Sequence, residues 1–296
     1  LPGALHWVIA LMMGMLAGMV WGMVVGIFKA LLNVHEVISS IMLNYIGMYA
    51  INYLIKNSHL HDQLRNQTIS VAPNAVIPKA GLDNIFFITK GRFHDASSVN
   101  AGILIAIGAA VIIYILLNRT TFGFELKAVG HNRFASRYAG ISEKRAIILS
   151  MAIAGALSGT AGALMYLAPA SGMHIHVAEV LAPEGFNGIA VALLAMSNPI
   201  GIIFTGLFIA HITVGGAYLQ SLRYVREVVE VIIGLIIYFS AFALLVSQLM
   251  GRRMLHKQTR LDSAAPPDEP PAPPEPGKHG YFYTLLGLQL GLCNAI

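Results

Sequence analysis

Apolar residues gather along this chain in six long runs, at 5–28, 37–55, 101–117, 146–168, 200–219 and 228–250. Each run is long enough to cross all or most of a hydrocarbon core about 30 Å thick. A seventh run, 185–197, is too short to span and stops at Asn198-Pro199, where proline interrupts helical hydrogen bonding. It therefore predicts a broken or re-entrant helix. The pattern as a whole predicts an all-α, polytopic helical membrane protein with about six full spans plus one short interrupted helix.

The polar and small residues inside the runs carry the next layer of information. In 5–28, glycines recur every fourth residue at Gly14, Gly18, Gly22 and Gly26. That spacing lays a smooth groove on one helix face, and close packing of a neighbouring helix is preferred there over a pore-lining seam. Run 146–168 repeats the device at Gly155, Gly159 and Ala163, with a second row at Ser158 and Gly162. Run 37–55 is the most polar, holding Ser39, Ser40, Asn44, Tyr45, Tyr49 and Asn52. Tyr45, Tyr49 and Asn52 read as one face and Ser40 and Asn44 as another. At least one of them must avoid lipid, either along a solute pathway or in hydrogen bonds between helices. Asn187 opens the interrupted segment and makes it a second candidate for that pathway. His211 falls near the middle of 200–219, where a hydrogen-bonded packing residue is preferred over a gate.

The connections are unequal. Residues 29–36 make a short turn, whereas 56–100 form a long mixed loop punctuated by Pro73, Pro78, Gly81 and Gly91, with β-type fragments at 68–71 and 85–89. The 169–184 connection holds His174, His176 and Glu179, read as polar loop residues rather than a metal site because no fourth ligand accompanies them. Residues 118–145 are the basic loop, with six Lys or Arg against two Glu, and the preference of cytoplasmic loops for positive charge places it inside. The Arg252-Arg253 stop puts the residues after 251 inside as well, and alternation puts 56–100 outside. Within the basic loop, Asn132 is a candidate N-cap and Gly140 a candidate C′ residue, which predicts a helix of about two turns over 133–139. Phe134 and Tyr138 share a face of it, with Arg133 and Arg137 beside them. Such a helix suits a plug for a partner's groove, and its basic residues also suit anionic lipid heads.

Composition confirms the class and adds exclusions. The 296 residues are 56% hydrophobic and 11% charged, and the net charge of +5 lies mostly in loops and tail, so it reads as topology rather than nucleic-acid binding. The single cysteine, Cys293, allows neither a disulfide framework nor a cysteine metal site. The chain starts at Leu1 with no signal peptide, and an upstream part, including N-terminal spans, is expected to be missing. Residues 1–251 are the transmembrane domain. Residues 252–280 are a basic, then Pro-rich cytoplasmic linker expected to be disordered, and 281–296 are a short apolar tail of unassigned role. The spans hold no Asp, Lys or Arg, and their one Glu, Glu230, sits at an outer end, which weighs against ion-coupled transport. The sequence lacks a G-x-x-x-x-G-K-[ST] phosphate loop, H-E-x-x-H and G-x-S-x-G, so neither nucleotide hydrolysis nor hydrolase chemistry is expected of this chain itself.

Four blocks in order carry a family resemblance: VHEVISSIMLNYIGMYAINYL at 34–54, GFELKAVGHNRFASRYAGIS at 123–142, GFNGIAVALLAMSNPIG at 185–201 and VIIGLIIYF at 231–239. Over roughly 1–251 the chain resembles the membrane permeases of bacterial ABC importers, specifically the nucleoside and simple-sugar branch related to the ribose and branched-chain amino-acid permeases. The resemblance implies a second permease subunit, cytoplasmic subunits that bind the ATP, and an extracytoplasmic substrate-binding protein or lipoprotein, all in the bacterial cytoplasmic membrane. It implies no cofactor on the chain itself. It also implies that the loop around Gly130, Asn132, Arg133, Phe134, Arg137, Tyr138 and Gly140 rests on the ATPase, which favours the plug over the lipid contact. Asn187 stands where an acidic residue is common, and Ala195-Met196 where small or basic residues are usual. The resulting expectation is the permease subunit of an ATP-driven importer for nucleosides or simple sugars, working by alternating access. Its solute path would run past Asn44, Tyr45, Tyr49, Asn187 and His211. The rival classes are a facilitator or secondary transporter of small polar solutes and a membrane assembly protein.

Overall fold

The computed structural model describes residues 3–79, 88–90, 93–95, 99–168 and 174–219, with 228, 231–236, 238, 239 and 242. Among these described residues, those up to Ile189 form one compact unit and those from Ala190 to Phe242 belong to a second. Among the described residues, five helices are long and apolar enough to cross a membrane: Leu5–Leu32, Glu36–Lys56, Gly102–Arg119, Glu143–Leu167 and Pro199–Gly216.

In the first unit, α1 (Gly3–Leu32) runs past the end of its expected span, because Lys29 does not stop the helix: its ammonium pairs with Glu36 across the turn. Asn33, with φ 52°, supplies the left-handed residue that ends α1, a conformation asparagine tolerates. The next helix, α2 (Glu36–Lys56), returns alongside. Next come two short antiparallel hairpins, β1 (His61–Asp62) with β2 (Gln67–Thr68) and β3 (Ile88–Lys90) with β4 (Phe93–Asp95). Between the hairpins lies a 3-10 turn at Pro73–Ala75. Helix α3 (Gly102–Arg119) follows, then α4 (Thr121–His131), α5 (Arg133–Tyr138), α6 (Glu143–Leu167) and α7 (Pro183–Leu194), of which the residues from Ala190 onward belong to the second unit.

The spine of this unit is the antiparallel pair α1–α6. A Cβ placed on Gly18 would lie 2.7 Å from the Gly159 Cα, and one on Gly22 would lie 2.9 Å from the Gly155 Cα. Further along, Gly14 faces Ala163 and Gly26 faces Ile148 and Met151. Both glycine rows are therefore spent on backbone-to-backbone packing, the means by which helices associate where lipid removes the hydrophobic drive. At one end of the pair, Ala75, Ile77 and Leu167 are buried together with Trp7, Val71, Ala101 and Leu164 around them, and the Ile77 N–H donates to the Leu167 carbonyl at 3.1 Å. At the other end, Leu117, Leu126, Ala146 and Ala154 form a second cluster that binds α3, α4 and α6.

That second cluster marks a departure from the loop expected over 118–145. Residues Thr121–His131 are helical, capped by Thr120, whose Oγ accepts from the Gly123 N–H at 3.1 Å. Gly123 is needed there: a Cβ would lie 2.7 Å from the Leu117 carbonyl carbon, where α4 doubles back against α3. Phe122, Leu126 and Val129, at helical spacing, turn inward onto the cluster.

In the second unit, α7 ends in a Schellman turn. The Ser197 N–H donates to the Ala192 carbonyl and the Met196 N–H to the Leu193 carbonyl, with Met196 and Ser197 at φ 50° and 58°. Asn198 then caps α8 (Pro199–Leu219), accepting from the Ile200 N–H at 3.0 Å, with proline in the first helical position. The Thr205 hydroxyl of α8 donates back to the Val191 carbonyl at 3.0 Å, so the expected break is a bonded helical elbow. Most of the expected span 228–250 and all of 252–296 lie outside the described residues, though 231–236 is helical.

Candidate functional site

The first candidate site is α5 and its mount. The expected helix over 133–139 forms as Arg133–Tyr138, and both of its ends are locally determined. Asn132, extended at φ −153°, ends α4 and accepts from the Phe134 and Ala135 N–H groups at 3.0 and 3.1 Å. At the other end the Ile141 N–H donates to the Ser136 carbonyl and the Gly140 N–H to the Arg137 carbonyl, with Gly140 at φ +79°, where a side chain would be strained.

A helix of six residues has no stability of its own in water, so its order comes from its mount. Arg133 pairs with Glu143 of α6 at 3.5 Å, Ser136 is buried against the mount, and α4 is held by the Leu117–Leu126 cluster. Gly130 lies half-buried in the last turn of α4, and Arg137 is exposed. Phe134 and Tyr138, one turn apart, are 74% and 95% exposed. Apolar rings held this far into solvent by a fixed support have the form of a contact waiting for a partner.

The second candidate is α2. Ser39, Ser40, Leu43, Asn44, Met48 and Asn52 are buried, whereas Tyr45 and Tyr49 are 45% and 52% exposed. Successive residues turn by about 100°, which puts Tyr49 roughly 140° around the helix from Asn44. The structure thus separates Asn44 from the two tyrosines, and it buries Asn52, which stands within about 20° of Tyr45 around the helix. Gly47 lets the Trp21 ring of α1 come close, a Cβ there lying 3.3 Å from its Cζ2. Asn187 is half-buried near the start of α7 in the first unit, and His211 is exposed on α8 in the second.

Several residues acquire roles that the sequence did not assign. The Asn52 amide donates to the Ala178 carbonyl at 2.8 Å, joining α2 to a segment 126 residues away. His174 bonds through Nδ1 to the Thr68 carbonyl at 3.1 Å and through Nε2 to the Ser70 hydroxyl at 3.4 Å, and His176 faces Gln67 in an isolated bridge. Among the described residues no group of three or more His, Cys, Asp or Glu is placed to hold a metal ion.

Comparison with known proteins follows the same outline. The sequence family described as "Branched-chain amino acid transport system / permease component" matches residues 3–241. The chain is 36% identical over 252 residues to the guanosine ABC transporter permease protein NupP of Bacillus subtilis, covering 85% of this chain and 69% of that one. It is 35% identical over 257 residues to the nucleoside ABC transporter permease protein NupB of Lactococcus lactis, covering 85% and 68%. The glucose ABC transporter permease protein TsgB13 of Haloferax volcanii is 28% identical over 220 residues, covering 71% and 54%. No solved structure matches the chain.

Proposed function

We propose, because the chain belongs to the family of permease components of branched-chain amino acid transport systems, that it is the membrane-spanning subunit of an ATP-driven nucleoside importer, with simple sugars the next class of solute. The observation that carries the solute is the likeness to NupP and NupB, each over about two thirds of its own length and each named for guanosine or nucleosides. The chain itself supplies a path and a coupling surface and no bond chemistry. ATP is bound by cytoplasmic partner subunits. A second permease subunit completes the pore, and an extracytoplasmic binding protein or lipoprotein delivers the solute.

In this reading the protein sits in the bacterial cytoplasmic membrane with 118–145 and the residues after 251 in the cytoplasm, as the positive charge of those stretches favours. Phe134 and Tyr138 enter a groove on the ATP-binding subunit, and Arg137 lines its rim. Closure of the ATP-binding subunits pushes on α5 and, through α4, on α6. Asn44, Tyr45, Tyr49, Asn187 and His211 remain the proposed solute residues. The phenol rings suit a flat base and the amides suit ribose hydroxyls.

The deciding experiment co-purifies the full chain from native membrane, identifies the bound subunits and measures uptake of labelled guanosine against unlabelled ribose and glucose. A bound ATP-binding subunit with ATP-dependent guanosine uptake supports the reading. Uptake that persists when ATP hydrolysis is blocked would make the protein a facilitator instead.

A further inference from the structure

Two attachments meet at the end of the first unit where α6 finishes, and they are built from opposite materials. One is the Ala75–Ile77–Leu167 cluster, closed by apolar burial. The other is the docking of residues 174–178 onto the β1–β2 hairpin, which is almost wholly polar. The Thr68 N–H donates to the Ile175 carbonyl at 2.9 Å, and the Ile175 N–H returns to the Thr68 hydroxyl at 3.0 Å. The Val177 N–H donates to the Asn66 carbonyl and the Asn66 amide to the Val177 carbonyl, both at 3.0 Å. His174 adds its bonds to Thr68 and Ser70, and Asn52 reaches across from α2 to Ala178.

Little apolar surface supports these bonds. The strands of the hairpin are two residues long, Leu60, Leu64, Ile69 and Val180 are exposed, and Val177 and Gln67 are the buried members. Water can replace each bond as the segment lifts, whereas it cannot replace the apolar cluster. The two elements so joined are also the less fixed ones. The end of α2 is held by Asn52, and α7 begins at Pro183, five residues beyond Ala178. The α1–α6 pair, by contrast, is interlocked backbone to backbone.

We propose that residues 174–178 are a releasable latch that undocks from the β1–β2 hairpin and redocks once per transport cycle, with Asn52 the positioning residue that carries its state to α2. This rests on the reading of the chain as a transport subunit that alternates between two states. The latch does not bind solute; it sets whether α2 and the start of α7 are tied together.

The test uses the full complex with Cys293→Ser, which removes the chain's one cysteine. Gln67→Cys with His176→Cys places thiols on an antiparallel bridged pair, whose usual Cα separation of about 4.5–5.5 Å suits a disulfide. Oxidation with diamide should cut uptake at least about tenfold, and dithiothreitol should restore it. Full uptake by the oxidised pair would make the segment a static brace and overturn the latch.

A solute-independent measurement guards against a variant that does not transport. Val177→Cys is buried while the latch is docked, so its labelling by an impermeant maleimide should differ about tenfold between nucleotide-free and vanadate-trapped complex. Equal rates in the two states would overturn the proposal. If the Cys293→Ser parent imports no nucleoside while the labelling still switches, the nucleoside reading fails and the latch stands.

Discussion

Gly18→Ala, set beside Gly162→Ala, tests whether the α1–α6 seam holds the first unit together. The new methyl at position 18 would lie 2.7 Å from the Gly159 Cα and 2.8 Å from its nitrogen, and it would press into the Gly155 carbonyl. Ordinary contact begins at 3.4 Å, so the Gly159 Cα alone requires the two backbones to part by about 0.7 Å, the closer Gly155 carbonyl requires more, and no flexible side chain can yield instead. Separation of this size forfeits dispersion along the neighbouring Gly14, Gly22 and Gly26 contacts too. Overpacking of this kind costs roughly 1–3 kcal/mol, against which the better helix propensity of alanine returns only about 1 kcal/mol. At Gly162, on the facing helix α6, a Cβ would meet nothing within 4 Å, so the same exchange should be neutral or stabilising by about 0.5–1 kcal/mol. Thermal unfolding of both variants in lipid nanodiscs reads the difference. If Gly18→Ala matches the parent, or Gly162→Ala loses as much stability, the seam is not the spine described here.

Further predictions concern coupling, orientation and the solute. Phe134→Asp puts a charge where an exposed ring is proposed to dock, and should uncouple ATP hydrolysis from uptake while leaving thermal stability unchanged; normal uptake with normal solute-stimulated hydrolysis would exclude the docking. In the Cys293→Ser background, a cysteine at Leu64, 97% exposed, should react with an impermeant thiol reagent added outside intact cells, and one at Tyr138, 95% exposed, should not; the reverse pattern would invert every loop. Tyr49→Leu and Asn44→Ser should shift solute preference or apparent affinity at normal expression, whereas lost expression with unchanged transport per folded molecule would assign these side chains to packing.

Features governed by near neighbours were legible in the sequence. The caps of α5 could be read from Asn132 and Gly140 because each acts within a few residues of itself. The elbow at Asn198-Pro199 was visible for the same reason, although its closure by Met196 and Ser197 in left-handed conformation was not, since neither residue type signals that geometry. The helix α4 was hidden by charge: Phe122, Leu126 and Val129 carried the period, but the surrounding basic residues read as loop. On α2 Asn52 stands seven residues after Tyr45, within about 20° of it around the helix, and what the sequence did not show is its burial, because its partner Ala178 lies 126 residues away. Contacts of that separation leave no periodic trace. The glycine rows of α1 and α6 were each plain, yet their mutual fit emerged only from the packed pair.

These differences in legibility follow the mechanics of the first unit. α1 and α6 interlock through backbone contacts that tolerate no added atom, so they move together or not at all. The α5 support belongs to the same body, because Leu126 of α4 is buried with Leu117, Ala146 and Ala154 against α6. Under the proposed coupling, a push delivered to Phe134 and Tyr138 would reach this body through α4 rather than a flexible loop. What can change shape is whatever is attached to that body by few or polar contacts. Within the first unit that describes α2, which leans on α1 through Gly47 and Trp21 and is tied at its far end through Asn52. Tyr45 and Tyr49 are carried on its exposed face, so rotating or tilting α2 against the α1–α6 body would move those two rings first.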